Sequence, residues 1–192
     1  MTDETFTREA AFDILTEFNK SESLIKHALT VEAVMKHFAG LYNEDAYKWG
    51  IAGLLHDVDY EMYPEEHCAK AREILEGKNV PEEYIHAVQS HGYGICCDVE
   101  PSNDMEKVLF TIDELTGLIS AACLLRPSKS VLDLEVKSVK KKWKQKSFAA
   151  GVNREVIIQG AEKLGMDLDK VIEESIKGMQ KEAETIGLKG NL

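Results

Sequence analysis

Apolar residues recur at three- and four-residue spacing along most of the chain, and no run of strict two-residue alternation is long enough to argue for a sheet. The pattern predicts an all-α fold. The expected helices run from about Arg8 to Phe18, from about Glu22 to Phe38 with Ser21 as N-cap and Gly40 just past the end, and from after Asn43 to Leu55. Pro64 and Pro81 each suit a helical first turn, predicting helices at about Glu65 to Glu76 and Glu82 to Ser90. His91-Gly92-Tyr93-Gly94 then breaks the pattern, so Tyr93 to Asn103 reads as a loop. A long apolar helix follows from about Asp104 to Leu125 and stops at Arg126-Pro127, because a residue before proline is pushed out of the helical region. Beyond it are expected a basic amphipathic segment (Val131 to Phe148), a helix capped by Asn153, a last helix from about Leu168 to Ile186, and a frayed tail around Gly187 to Asn191.

Composition supports one ordinary globular domain spanning 1–192. The 192 residues are 44% hydrophobic and 30% charged, with four prolines and no repetitive tract, which is enough to bury a core without disulfides. Cys68, Cys96, Cys97 and Cys123 show no C-x-x-C spacing and are expected to be reduced thiols. The segment from Met1 to Arg8 lacks the basic start and apolar run of an export signal, so a cytoplasmic location is expected. Asp113 and Glu114 interrupt the most apolar stretch, Leu109 to Leu125, which therefore reads as a buried helix and not a membrane anchor.

A net charge of −11 argues against nonspecific association with nucleic acid or an anionic membrane. The stretch from Arg126 to Arg154 departs from this, with nine basic residues against two acidic ones.

Chemistry concentrates where polar residues interrupt apolar helices. His27 shares a helical face with Leu24 and Val31 and points inward; alone, a core histidine with one hydrogen bond would explain it. His56 and Asp57 emerge together from Ile51-Ala52-Gly53-Leu54-Leu55, and unpaired polar groups in such a place are costly. Asp113 sits between Val108-Leu109-Phe110-Thr111-Ile112 and Leu115, and its nearest N-terminal cation on the same helix is Lys107, six residues away. A buried carboxylate there needs a cation, either a metal or a distant arginine. Gly117 and Ser120 leave that face uncrowded. Imidazole and carboxylate donors without cysteine pairs suit an open catalytic site for Fe, Mn, Zn, Ni or Co rather than a closed structural zinc.

The order His27, then His56-Asp57, then Asp113 resembles the HD superfamily of metal-dependent phosphohydrolases over about Leu24 to Leu125. His67 and His91 make it similar to the six-ligand branch of that superfamily. The resemblance implies an HD helical bundle over about 22–126 with a C-terminal helical extension over about 127–192. It also implies one or two divalent transition metal ions: His27, His56 and Asp113 on one, His67 and His91 on the other, with Asp57 bridging. His37 and His86 fall outside this order and read as structural.

The activity so implied is hydrolysis of a small phosphorylated substrate, a nucleotide or other phosphoester, by metal-activated water. Asp59 and Glu61 are candidate acidic helpers beside Asp57, although solvated loop carboxylates would look the same. Arg126, Lys129 and Lys140 are candidate phosphate contacts if the basic segment folds over the metal mouth; a solvated basic face is the other reading. Three alternatives stay open: a mixed-valent di-iron oxygenase of the same fold, a noncatalytic nucleotide-binding module, and a nucleic-acid protein using the lysine cluster, against which the overall acidity counts. The substrate, the metal and the oligomeric state are not specified by the residues.

Overall fold

The computed structural model describes residues 6–192, so the part of the expected leader-free N-terminus at residues 1–5 lies outside the described residues. The described residues contain nine α-helices and one short 3-10 turn joined by turns and loops, with no strand among them. They are α1 (Arg8–Phe18), α2 (Glu22–Tyr42), α3 (Ala46–Leu55), α4 (Ala69–Gly77), α5 (Glu82–Ser90), α6 (Asp104–Leu124), α7 (Val136–Trp143), α8 (Arg154–Leu164) and α9 (Leu168–Lys181).

Short polar side chains open several of these helices by accepting first-turn amides that have no intrahelical partner. Thr7 receives Ala10 N at 3.1 Å, Asn103 receives Glu106 N at 3.0 Å, and Asn153 receives Val156 N at 3.4 Å. Asp45 caps α3 through Tyr47 N at 2.8 Å. Ser21 stands at the start of α2 but makes no cap bond there.

Long helices α2 and α6 form the centre. α2 packs against α3, α6 and α9, while α6 also carries α7 and α8. Their shared interior holds Met35, Phe38, Leu54, Leu109, Ile112 and Leu115, all buried, and burying each such side chain contributes roughly 1.5–3 kcal/mol. Two close approaches depend on missing side chains. A Cβ at Gly53 would come within 2.9 Å of Met35 Cγ and 3.1 Å of the Glu32 backbone, so glycine lets α3 press onto α2. At Gly178 a Cβ would come within 2.9 Å of Val34 Cα, which sets α9 against the other side of α2.

Five sequence expectations are revised. The α2 helix continues past exposed Gly40 to Tyr42 and ends on Asn43, whose left-handed φ of 56° directs its amide to the Ala39 and Gly40 carbonyls. The helix expected from Pro64 is broken in two: a 3-10 turn over Pro64–Glu66, then α4, with His67 and Cys68 between them. Only Val136–Trp143 of the basic segment is helical, and the last helix stops at Lys181. The tail is tied down rather than frayed, since Leu188 is buried, its carbonyl accepts Val131 N at 2.8 Å, and Asn191 N donates to Ser128 O at 2.9 Å.

Candidate metal centre

Six side chains from five places in the chain converge. The second turn of α2 supplies His27, the end of α3 supplies His56 and Asp57, the break before α4 supplies His67, the end of α5 supplies His91, and α6 supplies Asp113. Their donor atoms form two overlapping sets, one of His27, His56, Asp57 and Asp113 and another of Asp57, His67 and His91.

Asp57 belongs to both sets through different oxygens. Its Oδ2 lies 3.3 Å from His56 Nε2 and 3.7 Å from His27 Nε2. Its Oδ1 lies 3.4 Å from His67 Nε2 and 3.5 Å from His91 Nε2. Within the first set His27 Nε2 is 2.9 Å from Asp113 Oδ1 and 3.2 Å from His56 Nε2; within the second, His67 Nε2 and His91 Nε2 are 3.2 Å apart.

The outward ring nitrogens fix the tautomers. His56 Nδ1 donates to Gly53 O at 2.7 Å, His67 Nδ1 donates to Asp59 Oδ1 at 2.7 Å, and His91 Nδ1 donates to Val88 O. In a neutral ring the proton is thereby placed outside, and a lone pair on Nε2 points inward. Three imidazole lone pairs and the oxygens of two carboxylates then face one another, an arrangement that repels itself unless a cation sits among them. The electrostatics agree. Burial alone would lower the affinity of His56 for a proton, yet Asp57 and Asp113 outweigh it and hold the ring well above the ordinary histidine value. Burial likewise works against charge on His91, but its bond to Asp57 and the charge of Asp113 raise it. Burial opposes ionisation of Asp57 and Asp113, yet His56 and its neighbours keep both below the usual carboxylate range. The donor set fits one or two imidazole-preferring divalent metals.

The cluster opens into a cleft of about 380 Å³ walled by Leu24, Tyr60, Ile95, Cys96, Glu114 and Val152. A recess of about 340 Å³ shares His27 and Gly117 with it and continues past Ser120 to Leu124 and Ile186. Among the described residues no lysine or arginine lines the cleft, and Lys26 is the single cation lining the recess.

The other sequence candidates lie elsewhere. Asp59 is fully buried with both oxygens engaged, Oδ1 on His67 and Oδ2 accepting Ala71 N at 2.8 Å, so it orients His67 and starts α4. Glu61 Oε2 accepts Lys20 N at 2.8 Å and Ser21 N at 2.9 Å, which ties its turn to the junction of α1 and α2. Arg126 pairs with Asp133 at 2.8 Å, Lys140 pairs with Asp169 at 2.6 Å, and Lys129 occupies a turn at φ 49°; none lines the cleft. His37 and His86 pair with the buried carboxylates of Glu174 and Glu106 at 2.6 and 2.8 Å, away from the cluster.

The basic segment does contribute a wall. The Arg154 guanidinium gathers the carbonyls of Trp143, Gln145, Phe148, Ala149 and Val152, and the loop so organised brings Gly151 and Val152 to the cleft. Glu114 is the cleft residue that sequence reasoning passed over. Burial and the neighbouring Asp113 raise its pKa, while Asn153 N donates to its Oε2 at 3.0 Å. The one available signal was a second carboxylate beside Asp113 in an apolar helix.

No curated protein and no solved structure gave a significant match to the chain. The family model for the HD domain matches residues 24–139, which contain all six converging side chains and well over half of the chain. On that match and this all-helical site, the chain belongs to the HD domain family of metal-dependent phosphohydrolases.

Proposed function

We propose that this chain hydrolyses a small phosphoester at a two-metal centre held by His27, His56 and Asp113 on one side and His67 and His91 on the other, with Asp57 shared. The observation that carries the reading is the split of Asp57, one oxygen toward each histidine set. Bound there, metal ions would lower the pKa of a water and polarise a phosphoryl oxygen.

The protein's own groups supply the rest. Glu114 is the group placed to hand a proton to the leaving oxygen, because it lines the cleft and burial favours its protonated form. Asp59 holds His67 in the required tautomer. Leu24, Ile95 and Val152 offer apolar walls, and the recess beyond Gly117 offers room for a leaving group. The absence of lysine and arginine from the cleft among the described residues supports a substrate with a single phosphoryl group over a polyphosphate, whose further charges would lack partners.

The test is metal analysis of protein purified without added metal, joined to a panel of phosphomonoesters, phosphodiesters and nucleoside triphosphates. One to two equivalents of transition metal and turnover of mono- or diesters are expected. Metal-loaded protein that turns over no phosphoester and consumes oxygen with substrate would overturn the hydrolase reading.

A further inference from the structure

Three of the four cysteines gather beside the second histidine set, although Cys68 stands 28 residues before Cys96. Cys68 follows His67 directly, and Cys96 and Cys97 lie in the loop after His91. All are free thiols. Cys68 is buried and Cys96 is exposed on the cleft wall, and their sulfurs are 2.7 Å apart. Cys97 lies within reach of both, and its thiol also donates to Gln89 O at 2.9 Å.

Two features of the backbone create this contact. Cys68 has φ 68° and ψ −41°, a conformation that non-glycine residues rarely adopt, and it aims the Cys68 side chain at the loop after α5. Gly92 supplies the space, since a Cβ there would overlap both Cys68 Sγ and Cys96 Sγ. The glycine has an ordinary negative φ, so the missing side chain and not the backbone angle is what the site uses.

The spacing distinguishes between the two uses of such a pair. Thiolates sharing one zinc ion stand roughly 3.8 Å apart, given Zn–S bonds of about 2.3 Å. A disulfide needs about 2.05 Å. At 2.7 Å the Cys68 and Cys96 sulfurs stand nearer to the disulfide separation than to that of two thiolates on one zinc ion.

We propose that Cys68 and Cys96 are an oxidation site, a dithiol that a hydroperoxide converts to a disulfide across Gly92. Exposed Cys96 Sγ attacks a peroxide oxygen; the O–O bond breaks, the second oxygen leaves as water or an alcohol with the thiol proton, and a sulfenic acid remains. Cys68 Sγ then attacks that sulfur, and hydroxide leaves as water with the Cys68 proton. Two thiols lose two electrons and the peroxide gains them. The new bond ties the turn bearing His67 to the loop following His91. It therefore restrains both imidazoles of the second set, a consequence that rests on the two-metal reading given above.

The experiment uses the full chain, reduced and then treated with hydrogen peroxide, with blocking of free thiols, peptide mapping by mass spectrometry and non-reducing electrophoresis. A Cys68–Cys96 peptide lighter by two hydrogens, in monomer-sized protein, is expected in the wild type and in Cys97→Ser, and not in Cys96→Ser. Thiols that remain fully blockable after denaturation, or a bridge that runs through Cys97 or between chains, would overturn the site. These readouts need neither metal nor turnover, so they stand apart from the hydrolase test. In metal-loaded protein, the oxidised form is expected to release the metal of the second set to a chelator several-fold more slowly than the reduced form. Equal rates would overturn the restraint while leaving the disulfide itself in place.

Discussion

His67 Nδ1 donates to Asp59 Oδ1 at 2.7 Å, so the imidazole that faces His91 is aimed by a carboxylate eight residues earlier in the chain. Replacing Asp59 by Asn would turn a donor toward either His67 or the Ala71 amide, because an amide side chain cannot accept at both ends. Asp59→Asn is expected to weaken metal binding by the second set roughly 10- to 100-fold and to leave the first set loaded. Metal stoichiometry under a graded chelator measures this. Loss from both sets together would mean that the two fill as one unit.

Glu114→Gln should leave metal content unchanged and lower kcat roughly 100-fold or more for substrates with poor leaving groups. Aryl phosphates with good leaving groups, which need little protonation, should be nearly unaffected. A general acid works only while protonated, so wild-type activity should fall as pH rises through the raised pKa of Glu114, and the variant should lack that alkaline limb. Equal losses for both substrate types would remove Glu114 from the reaction.

Gly53→Ala puts a methyl against Met35 and the Glu32 backbone, where the nearest atoms are 2.9 and 3.1 Å away. Overpacking of this kind destabilises by roughly 1–3 kcal/mol. The same displacement carries His56 away from His27, so metal affinity of the first set should fall with the thermal midpoint. An unchanged midpoint and unchanged metal binding together would show that α3 can shift at no cost.

Glu174 is buried where α9 meets α2, and although burial opposes its charge, Lys170, Lys177 and His37 hold its pKa down to about 2. A carboxylate lowered in the folded state stabilises above its unfolded pKa of about 4.5, and that contribution disappears as pH falls toward 2. The thermal midpoint of Glu174→Gln should therefore lie below that of the wild type at neutral pH, with the gap closing between about pH 4.5 and 2. A gap that does not narrow in acid would show that the loss comes from packing.

How far the sequence could be read depended on whether the determining contacts were local. The helices α1, α3, α5 and α6 follow from apolar spacing and from caps adjacent in the chain, and His27, His56, Asp57 and Asp113 stand out because each interrupts an apolar helical run. The break at His67 was not legible. It depends on Asp59 accepting the Ala71 amide and so starting α4 late, a bond across twelve residues with no periodic trace. Gly40 gave a misleading stop signal, since Asn43 supplies the left-handed cap three residues later. The lysine-rich segment suggested phosphate contacts, but Arg126 and Lys140 are paired with Asp133 and Asp169, pairings that composition does not reveal.

The contact of α9 with α2, made close by Gly178 and joined by Glu174 and His37 across 137 residues, also bears on how the molecule assembles. During synthesis α2 leaves the ribosome early and α9 late, so the helix that carries His27 must wait with one flank uncovered. A contact of such long sequence separation slows folding, because the loop must close before the packing rewards it. Until Leu168–Lys181 arrives, the flank of α2 that it covers stays exposed, and transiently exposed apolar surface of this kind favours aggregation.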